Sequence, residues 1–224
     1  MPLTAIAINC SLKAKEAEDS STDKMIGLIV EALKKHDVAF AETIRIVDHD
    51  VRPGVTSAEG EGDAWPDIRR RILAADILIF GTPVWLGQMS SVAQRVLERM
   101  DAFLGETDDK GRMPSFGKIA IAAIVGNEDG AHAITASLFQ ALGDEGWTSR
   151  RAPPATGSAR RCRRKISRSW MKFLSQYNSQ WRWRRPTPPT SRACSKRMPI
   201  PASRHLQAAP RDESGRARSI RTRP

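Results

Sequence analysis

Residues 76–104 read DILIFGTPVWLGQMSSVAQRVLERMDAFL. The first six are an apolar run that does not alternate and ends in glycine, the pattern of a strand buried on both faces of a parallel sheet. Residues 89–104 repeat apolar side chains at three- and four-residue spacings and predict an amphipathic helix. Between them, 81–90 is a connection that mixes Gly, Pro, an aromatic and an amide. Strand, glycine-bearing loop and helix in that order make one βα unit.

The same unit recurs through the first 148 residues. LTAIAI at 3–8 predicts a buried strand that ends at Asn9 and Ser11. Residues 22–35 put Met25, Ile26, Ile29, Val30 and Leu33 on one helical face. Ser21 or Thr22 is placed to cap that helix, with Asp23 at its positive end and Lys34 and Lys35 at its negative end. Residues 38–47 are expected to hold a second strand, near Thr43–Val47, followed by the polar stretch DHDVRPGVTSAEGEGD at 48–63. A helix over 65–75 carries Pro66 in its first turn. A fourth apolar strand is read at 118–126 (KIAIAAIVG) and a fourth helix at 131–143. Four βα units in sequence predict an α/β, doubly wound parallel sheet with its ligand at the carboxyl ends of the strands.

Composition divides the chain. The formal charge of +11 hides a net −8 over residues 1–148 (15 basic, 23 acidic) and a net +19 over 149–224 (21 basic, 2 acidic). Nine of the 14 prolines also lie in the second part. No apolar run of about 18 residues predicts a membrane span. The start MPLTAIAINC has no basic region followed by a long apolar one, so no secretory signal is expected. Three cysteines without such a signal point to a reducing, cytoplasmic compartment and not to a disulfide framework.

Three loops fall on one predicted sheet edge. The first, NCSLKAKEAEDSST at 9–22, sets Ser11, Lys13, Ser20, Ser21 and Thr22 before a helix amino end, which favours a phosphate. It contains neither GxGxxG nor GxxxxGK[ST], so neither a standard dinucleotide fold nor a P-loop is indicated. The second, 81–90, suits the edge of a flat heteroaromatic ring. The third is GNEDGAH at 126–132. Taken singly these are a capped helix start, an exposed turn and a solvated acidic turn; their convergence on one edge is the stronger signal.

The ordered set NCSLK…SST, GTPVWLGQMSSVAQRVLERMDAF and VGNEDGAH resembles the flavodoxin-like NAD(P)H-dependent FMN reductases over residues 3–148. The resemblance implies a flavodoxin-like sheet of order 2-1-3-4-5 and noncovalent FMN. It implies that Ser11, Lys13, Ser21 and Thr22 hold the phosphate. Pro83, Val84, Trp85, Leu86 and Gly87 would flank the isoalloxazine on one side, and Gly126, Asn127, Glu128, Asp129 and Gly130 on the other. Cys10 stands where many relatives have glycine. The activity implied is an oxidoreductase that passes hydride from NAD(P)H to the flavin and electrons on to a flavin, quinone or similar small acceptor. No catalytic acid–base dyad is required, because the chemistry is the cofactor's. Intact relatives are homo-oligomers. An FMN-containing electron carrier without nicotinamide turnover is the alternative.

No metal site is expected. Asp48, His49 and Asp50 are neighbours in a strand-end loop and read as solvated. Cys162 and Cys194 lack zinc-ligand spacing. His132 reads as a helix start and His36 as a favourable charge at a helix end.

Residues 149–224 show neither apolar period, and the fifth βα unit is missing from the sequence as written. An arginine-rich nucleic-acid tail, with Trp181 and Trp183 among Arg182, Arg184 and Arg185, is one reading. A disordered linker is a second. A third is a reading-frame error. Taking the third base of each codon with the next two permits (I/V)PAGATCYWVGEAMQAEDFK from Thr148 to Arg168 and a peptide beginning AVATADTA from Trp181 towards Pro201. The first resembles what these reductases carry after GWT, and the second is an amphipathic helix. The single codons of Trp and Met fix shifted codons begun in Trp170 and Met171 as Asp and Glu. Those begun in Trp181, Trp183 and Met198 can all encode Ala. On any of the three origins, order is expected to about residue 148, leaving the fourth strand as an apolar sheet edge. Sequencing the gene across codons 145–152 tests the frame: a one-base change there should open a fifth βα unit, and its absence removes the frame reading.

Overall fold

The computed structural model describes residues 2–14, 16, 20–149 and 155–157. The readings made on the rest of the basic segment lie outside the described residues. In chain order the elements are β1 (Thr4–Asn9), α1 (Ser21–Lys34), β2 (Ala39–Arg45), α2 (Trp65–Ala74), β3 (Ile77–Trp85), β4 (Gln88–Met89), α3 (Ser91–Met100), β5 (Ile119–Val125), α4 (Ala131–Asp144) and β6 (Ala155–Gly157). The sheet runs β2-β1-β3-β5-β6, all parallel, with β4 turned back antiparallel on β3. Without that two-residue hairpin strand, the order is the expected 2-1-3-4-5.

Burial on both faces explains why the strands do not alternate. Ile6, Ile8, Leu78, Phe80, Ala122 and Ile124 meet Trp65, Ile68, Val96, Met100, Leu138 and Leu142 of α2, α3 and α4 on one face. The opposite pleat, with Ala5, Ala7, Ile77, Ile79, Ile119 and Ile121, packs on Met25, Ile26, Ile29 and Leu33 of α1. Crossovers running both ways from β1 place the switch of direction between β1 and β3, the position at which such sheets bind ligands.

Several boundaries differ from the sequence reading. The second strand is Ala39–Arg45, and Ile46–Asp48 is a 3-10 turn. The helix expected over 89–104 begins at Ser91, and after Met100 it tightens into a 3-10 turn over Asp101–Leu104. The connection at 81–90 is mostly strand: β3 continues to Trp85 and reverses through Leu86 and Gly87, both at positive φ (50° and 76°). Two such residues form a type I′ hairpin turn, whose twist matches the strands. A non-glycine residue at the first turn position hid this signal.

The basic segment also contributes a strand. Ala155–Gly157 pairs parallel with Ala123–Val125, and Thr148 bridges Ile119. The edge of β5 expected to be bare is therefore covered along part of its length. Parallel pairing uses only backbone donors and acceptors, so a three-residue ATG strand needs no apolar period to form.

The polar 48–63 stretch is held by a buried ion pair. The Arg99 and Asp63 side chains are both fully buried and 2.6 Å apart. Asp63 also accepts from the backbone N–H groups of Glu59 (2.9 Å), Trp65 (3.1 Å) and Arg52 (3.3 Å). Burial disfavours its charged form, but these donors and the Arg99 charge outweigh that and hold the carboxyl below its usual range. Asp63→Asn should cost about 3–5 kcal/mol at pH 7 in urea unfolding, because Arg99 loses its buried counter-charge and keeps only the more exposed Glu59, 3.4 Å away. Since the folded-state value is lowered, the contribution is present above the ordinary carboxylate pKa and disappears as pH falls through the lowered one. A loss below about 1 kcal/mol would show that the loop is held by other contacts.

Candidate functional site

β1, β3 and β5 end side by side, and each end is tied to the next. Asn9, the last residue of β1, is fully buried. Its side-chain oxygen accepts from the Ser11 N–H (2.9 Å), and its Nδ2 donates to Asp23 Oδ1 (2.6 Å) and to Ser20 Oγ (3.3 Å). Arg45, at the end of β2, donates to the Lys13 carbonyl (3.2 Å) and pairs with Asp23. Ser20, not Ser21 or Thr22, caps α1, accepting from the Asp23 N–H. Asn9, Ser20, Asp23 and Arg45 together shape the loop that leaves β1.

Ser90 joins this loop to the next. Its hydroxyl donates to the Cys10 carbonyl (2.6 Å) and accepts from the Ala93 N–H (3.0 Å), capping α3. The Cys10 N–H donates to the Gly81 carbonyl (2.8 Å), and the Ser90 N–H donates to Thr82 Oγ1 (3.2 Å). Burial alone pushes the Cys10 thiol far above its ordinary range, so it stays protonated and is no nucleophile.

The third loop rests on the hairpin. A Cβ on Gly126 would lie 2.5 Å from Val84 Cβ, and one on Gly130 would lie 2.6 Å from Gly87 Cα. Gly130 is also at φ +127°. Only glycine permits this approach. Asp129 Oδ1 accepts from the Gly130 N–H (2.7 Å) and closes the loop.

Within this frame the predicted residues take different positions. Ser11 is buried, with its hydroxyl on the Lys13 carbonyl (3.3 Å). The Lys13 side chain is exposed and Ser21 is half-buried in the first turn of α1. The Thr22 side chain is buried: a Cβ on Gly81 would meet its Cγ2 at 2.8 Å. Val84 also points inward, while Pro83, Gly87, Gly126 and Gly130 are half-buried. Trp85 is 49% exposed and Leu86 91% exposed. Asn127, Glu128 and Asp129 are exposed.

These features suit a flat ring carrying a phosphate. The amides at the start of α1 lack intrahelical acceptors and sit at the positive helix end, as an anion requires. Leu12, Trp85 and Leu86 offer exposed apolar surface at the same sheet edge. Sequence reasoning passed over Asn9, Arg45 and Ser90 as partners of this site. An arginine inside an otherwise neutral strand end was the one visible signal. Among the described residues, no group of three His, Cys, Asp or Glu side chains could hold a metal ion. No described helix is long and apolar enough to cross a membrane.

The model of the NADPH-dependent FMN reductase family matches residues 3–155. The divalent metal cation transporter MntH of Mycobacterium bovis is 36% identical over 150 residues, spanning 65% of this chain and 22% of that protein. The 8-demethyl-8-aminoriboflavin-5'-phosphate synthase of Streptomyces davaonensis is 28% identical over 157 residues, spanning 66% of this chain and 60% of that protein. The chain thus spans less than two thirds of either curated relative. Among solved structures, RosB with bound 8-demethyl-8-formylriboflavin-5'-phosphate superposes with a TM-score of 0.69 at 20% identity, covering 98% of this chain and 100% of that one.

Two glycine substitutions separate site geometry from general tolerance. Gly130→Ala drives a Cβ into Gly87 at a left-handed φ and should cost about 1–3 kcal/mol, read as a lowered urea midpoint. Gly27→Ala, in α1 with nothing within 4 Å of the added carbon, should stabilise by about 0.5–1 kcal/mol. Equal effects would show that the Gly87–Gly130 contact is loose.

Proposed function

The chain belongs to the NADPH-dependent FMN reductase family, and on that premise we propose that it passes hydride from NAD(P)H to bound FMN and then electrons to a flavin, quinone or similar small acceptor. The observation that carries this reading is the packing of Gly126 and Gly130 against the 84–87 hairpin. It joins the loops after β3 and β5 into one surface beside the switch point of the sheet. FMN-dependent oxidoreductase chemistry is the family's; the nicotinamide donor, the acceptor and the residue assignments are our reading.

The phosphate binds the amino end of α1, with the Ser21 hydroxyl, the Thr22 N–H and the Lys13 charge around it, and with Ser11 joining it if its hydroxyl turns from the Lys13 carbonyl. The Arg45 and Asn9 bonds to this loop order its backbone before ligand arrives, which lowers the entropy lost on binding. The ring lies along the surface that the touching Pro83–Gly87 and 126–130 loops form together. Bound FMN supplies the two-electron redox chemistry. The protein's part is orientation, exclusion of water and backbone N–H donors beside the ring. Among the described residues of these loops, no buried acid or base is set to relay a proton: Glu128 and Asp129 are exposed and Cys10 is held neutral. The setting is cytoplasmic, the acceptor a diffusible small molecule, and the assembled form a homo-oligomer. A second reading, a flavin phosphate as the molecule transformed, is favoured by the likeness to the synthase and to RosB.

The test is to incubate purified protein with FMN, desalt it, record the visible spectrum and follow NADH and NADPH oxidation with added FMN or a quinone. Retained flavin bands and acceptor-dependent oxidation are expected. No flavin absorbance after reconstitution overturns the proposal. Bound flavin without nicotinamide oxidation leaves an electron carrier, and conversion of the flavin itself selects the second reading.

A further inference from the structure

Between α3 and α4 lies an open cavity of about 410 Å³. Its carboxylates are Glu98, Asp101, Asp144 and Glu145. By the direction of the chain, its acidic end lies at the edge of the sheet opposite the three loops. Asp101 and Glu145 cap the carboxyl ends of α3 and α4, so two helix dipoles direct negative potential to the same place. The described lining contains no lysine, arginine or histidine, and none of the four carboxylates forms an ion pair among the described residues.

Glu145 is the unusual member. It is 5% exposed, and its Oε2 is buried without a hydrogen-bond partner. A side chain so placed is costly to ionise without a cation beside it. Burial first, then the Asp101 and Asp144 charges, push its pKa up to about 8. Glu98 and Asp144, by contrast, already accept from Gln94 and Gln140.

We infer that this cavity binds an organic ammonium ion, with the charged nitrogen against the Glu145 carboxylate and an aliphatic body along Val55, Leu97 and Leu104. The apolar wall on one side favours an alkylamine over a hydrated inorganic ion. So does the absence, among the described residues, of three carboxylates grouped to hold a metal. The nitrogen comes either from a free amine or from a lysine side chain of a partner. Binding requires Glu145 ionised, so at pH 7 it expels the proton that burial retains.

The test is calorimetric titration of the full-length protein with 1,5-diaminopentane and, separately, with Nα-acetyl-lysine methylamide, in two buffers of different ionisation enthalpy. Saturable binding of either ligand with proton release is expected; the diamine alone indicates a free amine, the lysine derivative alone a partner's side chain. Glu145→Gln should weaken binding by about tenfold or more and abolish the proton release. The exposed-side variant Asp101→Asn, which removes no buried group, should weaken binding severalfold and stands in should Glu145→Gln fail to fold. Failure of both ligands to bind overturns the inference. So does unchanged affinity in the variants, or saturable Ca²⁺ or Mg²⁺ binding without amine binding. None of these readouts depends on flavin, so they stand apart from the test of the reductase reading.

Discussion

One serine hydroxyl links the parts of this protein that matter for its chemistry. Ser90 donates to the Cys10 carbonyl at the end of β1 and accepts from the Ala93 amide at the start of α3. The direction of the sheet reverses between β1 and β3, and parallel strands leave their last backbone groups without neighbours there. Those groups must be satisfied by something. Ser90 and the Cys10–Gly81 backbone bond do so, leaving the space beyond them shaped.

The remaining order of the site follows from that constraint. The Asn9 and Arg45 side chains have turned back onto the loop after β1, where Asn9 accepts from the Ser11 N–H and Arg45 donates to the Lys13 carbonyl. The hairpin after β3 can rise only because Leu86 and Gly87 adopt left-handed conformations. The loop after β5 can lie on it only because positions 126 and 130 lack a side chain. Backbone groups and glycines, more than reactive side chains, build the site, which suits a protein whose chemistry belongs to its cofactor. The ionic groups act elsewhere: Arg99 and Asp63 anchor the 48–63 loop, and Glu145 remains buried and unpaired at the far edge.

Much of the fold was legible in the sequence. Strands buried on both faces read as unbroken apolar runs, and helices exposed on one face read at period 3.6, so β1, β3, β5 and all four helices were visible. Ala39–Arg45 was displaced because its burial is irregular at an edge strand, where polar side chains are tolerated. The hairpin was missed because a leucine holds the position where glycine or asparagine usually marks such a turn. At the site, the three loops were found, but Thr22 and Val84 turn inward, and no local pattern reports which way a side chain points at a strand end.

The amino-acid sequence by itself determined the βα alternation, the acidic and basic division at about residue 148, and the three loops that meet at one edge. Local periodicity and charge set these, and both are written along the chain. Only the tertiary structure decided that Asn9, Arg45 and Ser90 tie the loops together, that Gly130 touches Gly87, that Ala155–Gly157 adds a strand, and that Glu145 lies buried without a partner. Each of these depends on contacts between residues from 11 to 80 positions or more apart, brought together by sheet register and by the close packing of helices on it, which no local pattern encodes.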